Sequence, residues 1–385
     1  MFNFAYYNPT RIHFGKDTIN EINSLVPSDA RVMVLFGGSS AKKTGTLDEV
    51  NQALGNRFVV EFGGIEPNPT YETLMQAVEQ VRELKIDFLL AVGGGSVIDG
   101  TKFVAAAAEF EGEPWDILTS WGGKVTKAMP FGTVLTLPAT GSEMNCASVV
   151  TRKSLKAKLP FRNELVYPQF SILDPTKTFT LPERQLANGV VDAFVHITEQ
   201  YLTYPVNAAV QDRFAEGLLQ ILIELGPKAL AQPQDYDIRA NLMWVATMAL
   251  NGTIGTGVPH DWATHMIGHE LTALYDIDHA RTLAIVLPSL LRCTKTAKHE
   301  KLLQFADRVW HIQAGTEDER IEAAIANTQA FFEAMGIGTK LADYNLGKDD
   351  VEAVLKQLED HGMVALGEHE NIDLAMSRDI LTLAI

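Results

Sequence analysis

Three apolar runs in the first hundred residues each end in glycine, and this repeated punctuation restricts the fold more than any other feature. Arg31-Val-Met-Val-Leu-Phe36 runs into Gly37-Gly38, Phe58-Val-Val-Glu-Phe62 into Gly63-Gly64, and Phe88-Leu-Leu-Ala-Val92 into Gly93-Gly94-Gly95. Short apolar runs bounded by glycine read as buried strands. Between the second and third, Leu74, Ala77, Val78 and Val81 recur at helical spacing and predict a helix over 70–85. Phe131–Thr136 and Phe170–Leu173 read as a fourth and a fifth strand. Strands that alternate with helices build a parallel sheet covered on its faces, so the first half is expected to be a doubly wound α/β domain with a mostly parallel sheet.

After about Thr180 the period changes. The segments 182–203, 206–226, 236–252, 259–274, 299–312, 317–335 and 349–359 carry helical periodicity, and strand-like runs nearly vanish. A chain of 385 residues exceeds what one core comfortably holds. The turn-rich stretch Asp174-Pro175-Thr176 to Leu181-Pro182 marks the change, which divides the chain into an α/β domain over 1–178 and an all-helical domain over 179–385.

Composition removes several classes of function. The formal charge of −16 leaves no basic stripe for phosphates, which argues against nucleic acid. No run approaches the roughly 18 apolar residues that span a bilayer, so no membrane partner is expected. The amino terminus lacks the charged-then-apolar order of a signal peptide. Cys146 and Cys293 are the only cysteines and form no paired motif, which suits a reducing, cytoplasmic setting.

Two loops in the α/β half suit a dinucleotide. Gly93-Gly94-Gly95-Ser96 follows a strand and opens a helix, so backbone can approach a pyrophosphate with helix N–H groups aimed at it. A turn of this kind also solves tight packing by itself, because glycine tolerates strained backbone. Leu135-Thr136-Leu137-Pro138-Ala139-Thr140-Gly141-Ser142-Glu143 likewise follows a strand and mixes hydroxyls with glycine.

The helical half carries a different chemistry. Asp192 and His196 are four residues apart in an apolar-periodic run and project from one helix face. His260, His265, His269 and His279 fall within twenty residues of one another. One carboxylate with two or three imidazoles suits Zn, Fe, Co or Ni better than Mg or Ca. The pair His265-x-x-x-His269 lacks the glutamate of a zinc protease, with Met266 in its place. On one continuous helix His265 and His279 would lie about 21 Å apart. Tyr275-Asp-Ile-Asp278 is therefore expected to break the helix and bring His279 back. Spacing alone permits either His269 or His279 as a ligand.

These residues resemble the iron-containing, or group III, alcohol dehydrogenases, particularly the NADPH-dependent aldehyde reductase and butanol dehydrogenase branch. The resemblance runs the length of the chain through Pro67-Asn68-Pro69, Gly93-Gly-Gly-Ser96-x-x-Asp99-x-x-Lys102, Thr140-Gly-Ser-Glu143, Asp192-x-x-x-His196 and His265 through His279. It implies metal ligation by Asp192, His196, His265 and His279, with His269 near the substrate. It implies cofactor contacts at Asn68, Gly94, Gly95, Ser96, Asp99, Thr136, Leu137, Thr140, Ser142, Val149 and Lys158. Two segments depart from the commoner family pattern. Leu135 to Thr140 stands where Pro-Thr-Thr-Ala-Gly-Thr is usual, and Asp278-His279-Ala280 where Pro-His-Gly is usual.

The implied reaction is hydride transfer between NADP(H) and an aldehyde or primary alcohol, aided by one divalent ion, Zn or Fe. His269 would relay a proton or hydrogen-bond the substrate. The phosphorylated coenzyme is favoured by the turn after the first strand, Gly37-Gly38-Ser39-Ser40-Ala41-Lys42-Lys43. It holds no acid to repel a 2′-phosphate. Two alternatives belong to the same superfamily. One is an NAD-dependent alcohol or polyol dehydrogenase. The other is a dehydroquinate-synthase-like lyase, which needs several basic residues where this chain has Trp262, Met266, Ile267 and Leu271. Phe2-Asn-Phe-Ala-Tyr-Tyr7 is apolar and strand-like at a terminus, and such an edge invites a homodimer.

Overall fold

A computed structural model describes all 385 residues, which divide into two compact units. One comprises Tyr7–Leu181 with Pro233–Thr247; the other comprises Met1–Tyr6, Pro182–Gln232 and Met248–Ile385. Neither is continuous in sequence.

The first unit is built on six strands. They are β1 (Arg11–Phe14), β2 (Arg31–Phe36), β3 (Phe58–Phe62), β4 (Phe88–Gly94), β5 (Phe131–Leu137) and β8 (Phe170–Leu173), and they lie side by side in the order β1-β8-β5-β4-β2-β3. Every pairing is parallel. The five expected strands form where the apolar runs place them. A separate antiparallel hairpin, β6 (Ala147–Arg152) with β7 (Ala157–Arg162), follows the hydroxyl-rich loop. Helices α1 (Ile22–Leu25), α2 (Ser40–Lys43), α3 (Thr46–Leu54), α4 (Tyr71–Glu83), α5 (Gly95–Ala108) and α6 (Asp116–Thr119) accompany the strands. The predicted helix over 70–85 is α4, capped by the Thr70 hydroxyl accepting from Thr73 N–H. Two apolar cores form. One gathers α4 and α5 with Leu89, Ala91 and Leu135; the other gathers α3 with Val32, Val34, Leu90 and Val92. Alternate residues of β2 and β4 thus pack into opposite cores, as burial on both faces of a parallel sheet requires.

The second unit is helical. Its elements are α7 (Glu183–Tyr201), α8 (Ala209–Ala231), α10 (Ala263–Tyr275), α11 (His279–Cys293), α12 (His299–Arg308), α13 (Glu317–Ala334), α14 (Lys348–Asp360) and α15 (Leu374–Leu383). The intervening α9 (Tyr236–Ala249) runs almost wholly within the first unit. Helix α11 is central: it packs against α7, α10, α13 and α15. The break between α10 and α11 falls at Asp276, which adopts a left-handed backbone with φ 54°.

The expected amino-terminal strand does not form. Phe2 to Tyr7 has no regular structure; Phe2 N–H bonds the Gly257 carbonyl at 2.9 Å. Alternating apolar residues suffice for a strand only where a partner edge is available.

Candidate active site

The strand order fixes where a ligand can bind the α/β unit. The connection from β2 runs outward to β3, whereas that from β4 runs the opposite way to β5, and β2 and β4 are neighbours. This is a topological switch point, and open α/β sheets bind ligands at the carboxyl ends of the strands there. The two glycine turns occupy those ends. After β2, Gly38, Ser39 and Ser40 are exposed, and a Cβ on Gly38 would meet nothing within 4 Å. Gly38 therefore answers no packing need. The turn after β4 is different. A Cβ on Gly93 would lie 2.5 Å from Val97 Cγ2, on Gly94 2.9 Å from Leu137 Cβ, and on Gly95 2.4 Å from Thr140 Oγ1. Here glycine lets α5 begin against the Thr140 loop. Gly94 offers no capping side chain to the first turn of α5, so its N–H groups suit an anion.

Other cofactor candidates gather around this turn. The Asn68 N–H donates to Ser96 Oγ at 3.3 Å, and Lys158 Nζ donates to Asn68 Oδ1 at 3.0 Å. Asn68 has φ 56°, a left-handed backbone that asparagine tolerates better than most residues. Leu137 pairs with Gly94 across β5 and β4, with Thr136 beside it. Ser142 Oγ donates to Asp99 Oδ1 at 2.5 Å, and Val149 N–H donates to Asp99 Oδ2 at 2.9 Å. Thr140 Oγ1 accepts from Ser142 N–H.

Lys102, one turn beyond Asp99 on α5, is fully buried. Its ammonium donates to Ser142 Oγ at 2.8 Å, Asn145 Oδ1 at 2.9 Å and the Ala147 carbonyl at 2.8 Å. All three protons are used, and the loop 142–147 is fastened to the helix that carries the glycine turn. Burial pulls the Lys102 amine down to about 8, although Asp99 acts in the opposite sense. Burial likewise pushes Asp99 and Glu143 above the usual carboxylate range. Glu143 Oε1 accepts from Thr247 Oγ1 at 2.6 Å, which anchors the end of α9.

In the helical unit, Asp192, His265 and His279 each turn one ligand atom to a common point, all within 4.8 Å of one another. Asp192 Oδ1 lies 3.6 Å from His196 Nδ1, 4.0 Å from His265 Nε2 and 3.7 Å from His279 Nε2. His196 Nε2 is 3.0 Å from His265 Nε2. Three of the four expected ligands share this point, and His196 borders it through Asp192 and His265. Asp192 Oδ1 is buried and accepts no hydrogen bond, a costly state that a cation would relieve. Three imidazoles around one carboxylate fit a divalent first-row ion.

The partners of these ligands complete the fit. Glu199, one turn beyond His196 on α7, takes the Nδ1 edge of His265, which leaves Nε2 directed at Asp192. A carboxylate behind an imidazole fixes its tautomer and strengthens it as a ligand. Burial, then Asp261, holds Glu199 well above the usual range. Asp278 precedes His279 and occupies the N-cap of α11, where its side chain makes no capping bond. Such a cap is typically worth about 1 kcal/mol. Asp278 Oδ2 instead accepts from Arg184 Nε and Asn188 Nδ2, both at 2.7 Å. Burial would raise Asp278, but these bonds offset it and hold the carboxyl below its ordinary value.

Two further histidines of the cluster lie nearby. His260 Nε2 contacts the Gly255 carbonyl at 2.8 Å and Nδ1 accepts from Trp262 Nε1 at 3.2 Å, a bonding pattern that leaves it outside the ligand set. His269 is buried, its ring 5.2 Å from that of His279 and 6.1 Å from that of His265. Trp262, at φ 61°, sets its indole edge-on to His196 and His265. Sequence reasoning gave no role to Glu199, Asn188 or Arg184, and took Asp278 only as part of the break before His279. Glu199 carries a signal, since it continues the 192–196 face at helical spacing. The grip of Asp278 on α7 spans 90 residues and leaves none.

Residues 9–175 match the model for iron-containing alcohol dehydrogenase, and residues 186–384 match that for the C-terminal part of the Fe-containing alcohol dehydrogenase family. The chain is 59% identical over 382 residues to the NADPH-dependent aldehyde reductase YqhD of Escherichia coli K12, covering 99% of each. It is 42% identical over 380 residues to NADP-dependent alcohol dehydrogenase 3 of Entamoeba histolytica, covering 97% of this chain and 96% of that one. A crystal structure of E. coli K-12 YqhD superimposes with a TM-score of 0.99 at 58% identity, covering 100% of this chain and 99% of the other. NADH-dependent butanol dehydrogenase A of Thermotoga maritima superimposes at 0.95 with 35% identity and the same coverage. Matched in both halves and along its whole length, the chain belongs to the iron-containing alcohol dehydrogenase family of oxidoreductases.

Proposed function

We propose that this enzyme reduces aldehydes to primary alcohols with NADPH as coenzyme and one divalent ion, Zn or Fe, held by Asp192, His196, His265 and His279. The observation that carries the reading is the convergence of the buried Asp192 carboxylate with the His265 and His279 imidazoles at one point in the helical unit, with His196 beside them. A divalent ion held by these side chains would supply Lewis-acid activation of a carbonyl, and NADPH would supply the hydride. The side chains do the rest. Asp192 supplies the only carboxylate of the set, so three neutral imidazoles leave the filled site with net positive charge. Glu199 orients His265. His269 serves the substrate oxygen as proton relay or hydrogen-bond partner, two roles that a pH–rate profile of His269→Gln separates.

Gly37, Gly38, Ser39 and Ser40 are assigned to the 2′-phosphate end of the coenzyme. Gly94, Gly95 and Ser96 are assigned to its diphosphate. Asn68, Asp99, Thr136, Leu137, Thr140, Ser142, Val149 and Lys158 complete the cofactor set. Support comes from the acid-free exposed turn at the switch point and from two relatives named for NADPH or NADP. A second coenzyme reading, NADH, is favoured by the 35% identical butanol dehydrogenase of T. maritima. Membership of an oxidoreductase family sets the lyase reading aside.

We further infer a homodimer. Phe2, Phe4, Tyr6 and Tyr7 are exposed, an apolar concentration that a second copy would cover. No helix is long and apolar enough to cross a membrane, and both cysteines are free, which supports a reducing compartment. The test is a panel of aldehydes with NADPH and NADH, run on chelator-stripped protein and after reloading with Zn²⁺ or Fe²⁺. Metal-independent turnover would overturn the proposal.

A further inference from the structure

Of the four proposed ligands, His279 is the least secured by its own element. Asp192 and His196 lie within α7 and His265 within α10, with side chains about 5% exposed; His279 is the first residue of α11 and its side chain is 22% exposed. Helix ends fray. The residues before it turn through the left-handed Asp276. A ligand in that place needs a hold from outside its own helix.

Helix α7 provides one. Arg184, Asn188, Asp192 and His196 are spaced four apart and form a ladder along one face. The lower two are the proposed ligands, and the upper two both donate to Asp278 Oδ2 at 2.7 Å. Arg281, from the first turn of α11, adds a contact at 3.5 Å. Adjacent residues thus reach adjacent turns of one helix: Asp278 at Asn188, and His279 at Asp192. Two points of attachment fix rotation as well as distance. The aspartate forgoes capping its own helix to make this contact.

We propose that Asp278 is a positioning residue that sets the metal affinity of the site by clasping His279 to α7. This rests on the ligand assignment given under the proposed function. Asp278 touches neither metal nor substrate in this role. It acts through the backbone of the residue that follows it, and Asn188 is its principal partner because it is the more buried donor.

The test uses full-length protein stripped of metal and titrated with Co²⁺ against a competing chelator, with the visible Co²⁺ bands reporting ligand geometry. Removal of a partner that orients a metal ligand typically costs 10- to 100-fold in affinity. Asp278→Ala should therefore weaken Co²⁺ binding by about that factor and alter the band pattern. Asn188→Ala should weaken it in the same direction. The double variant should be no weaker than Asp278→Ala, because the two act as one contact. Asp278→Asn, which keeps an acceptor oxygen, should recover part of the loss. Should Asp278→Ala fail to fold, Asn188→Ala carries the measurement. Affinities within twofold of wild type in both single variants overturn the clasp while leaving the metal reading intact. A wild-type chain that takes up no Co²⁺ overturns both.

Discussion

Asp192 Oδ1 is the atom on which the helical unit's chemistry turns. It is buried, accepts no hydrogen bond, and is ringed by imidazole nitrogens at 3.6–4.0 Å. Asp192→Ala should abolish metal uptake and reduce kcat/KM on the order of a thousandfold or more. Lewis-acid stabilisation is worth several kcal/mol, and each 1.36 kcal/mol is a factor of ten. Metal analysis beside a thermal melt checks this, since the fold should persist; full activity would sink the assignment. His269→Ala and His279→Ala should part company when their metal content is measured. The first should remain near normal and the second depleted, and the reverse would mean that the wrong histidine was chosen. At this scale the sequence is readable where residues are close along a helix, as with Asp192 and His196. It is silent where distant segments meet, as with Asp278 and Asn188. Spacing could not choose between His269 and His279 because the choice depends on the turn at Asp276.

Among the elements, legibility followed burial. Strands β2, β3, β4, β5 and β8 stand out as apolar runs, and amphipathic helices such as α4 and α12 keep a visible period. Helix α11, whose first residue is His279, was not foreseen. Pro288 within it reads as a breaker and interrupts the run. Strand β1 escaped because Arg-Ile-His-Phe is short and half exposed, and β6 and β7 because their alternation is brief. Two turns can be tested as elements. Gly95→Ala would bring a methyl to 2.4 Å from Thr140 Oγ1, so α5 and the Thr140 loop must separate. Overpacking of this kind costs about 1–3 kcal/mol. The expected result is a lower melting temperature and a coenzyme KM raised at least several-fold; an unchanged KM would place the coenzyme elsewhere. Ser39→Asp would set a carboxylate in the acid-free turn after β2. Its kcat/KM should fall far more with NADPH than with NADH, and an equal response would mean that this turn does not read the phosphate.

For the molecule as a whole, the broad architecture was legible: a parallel sheet with helices early, helices alone later. What the sequence concealed was that Pro233–Thr247 packs with the early part. That segment is amphipathic like its helical neighbours, and its period says nothing of which core receives it. The buried charge within the α/β unit also has a consequence for the whole fold. Lys102 is held near 8, against 10.5 for the free side chain. Between these values the unfolded chain binds a proton that the folded chain does not, so Lys102 makes stability rise with pH across that window. Below about 8 both states are protonated, and the full cost of the buried ammonium persists. At 1.36 kcal/mol per pH unit, about 3 kcal/mol is recovered by pH 10.5. The unfolding free energy of wild type minus that of Lys102→Met, followed from about pH 7 to about pH 10, should climb in this way. A flat difference would mean that the side chain keeps its ordinary affinity for protons.

The discontinuity of the α/β unit also bears on how the chain is made. Met243 belongs to the same apolar core as Phe103 and Leu135, and Thr247 is the hydroxyl that meets Glu143. A nascent chain leaving the ribosome therefore completes the last strand of its sheet well before it owns all of that sheet's core. Until Pro233–Thr247 emerges, the niche for Met243 stays open and the Glu143 carboxyl lacks its partner, while α7 and α8 wait outside. Domain-by-domain folding during synthesis, the usual order for chains of this length, is thus interrupted by the protein's own topology. A stalled nascent chain that has emerged only as far as Leu181 should carry a sheet that proteases cut readily, and one that has emerged beyond Thr247 a sheet that resists them.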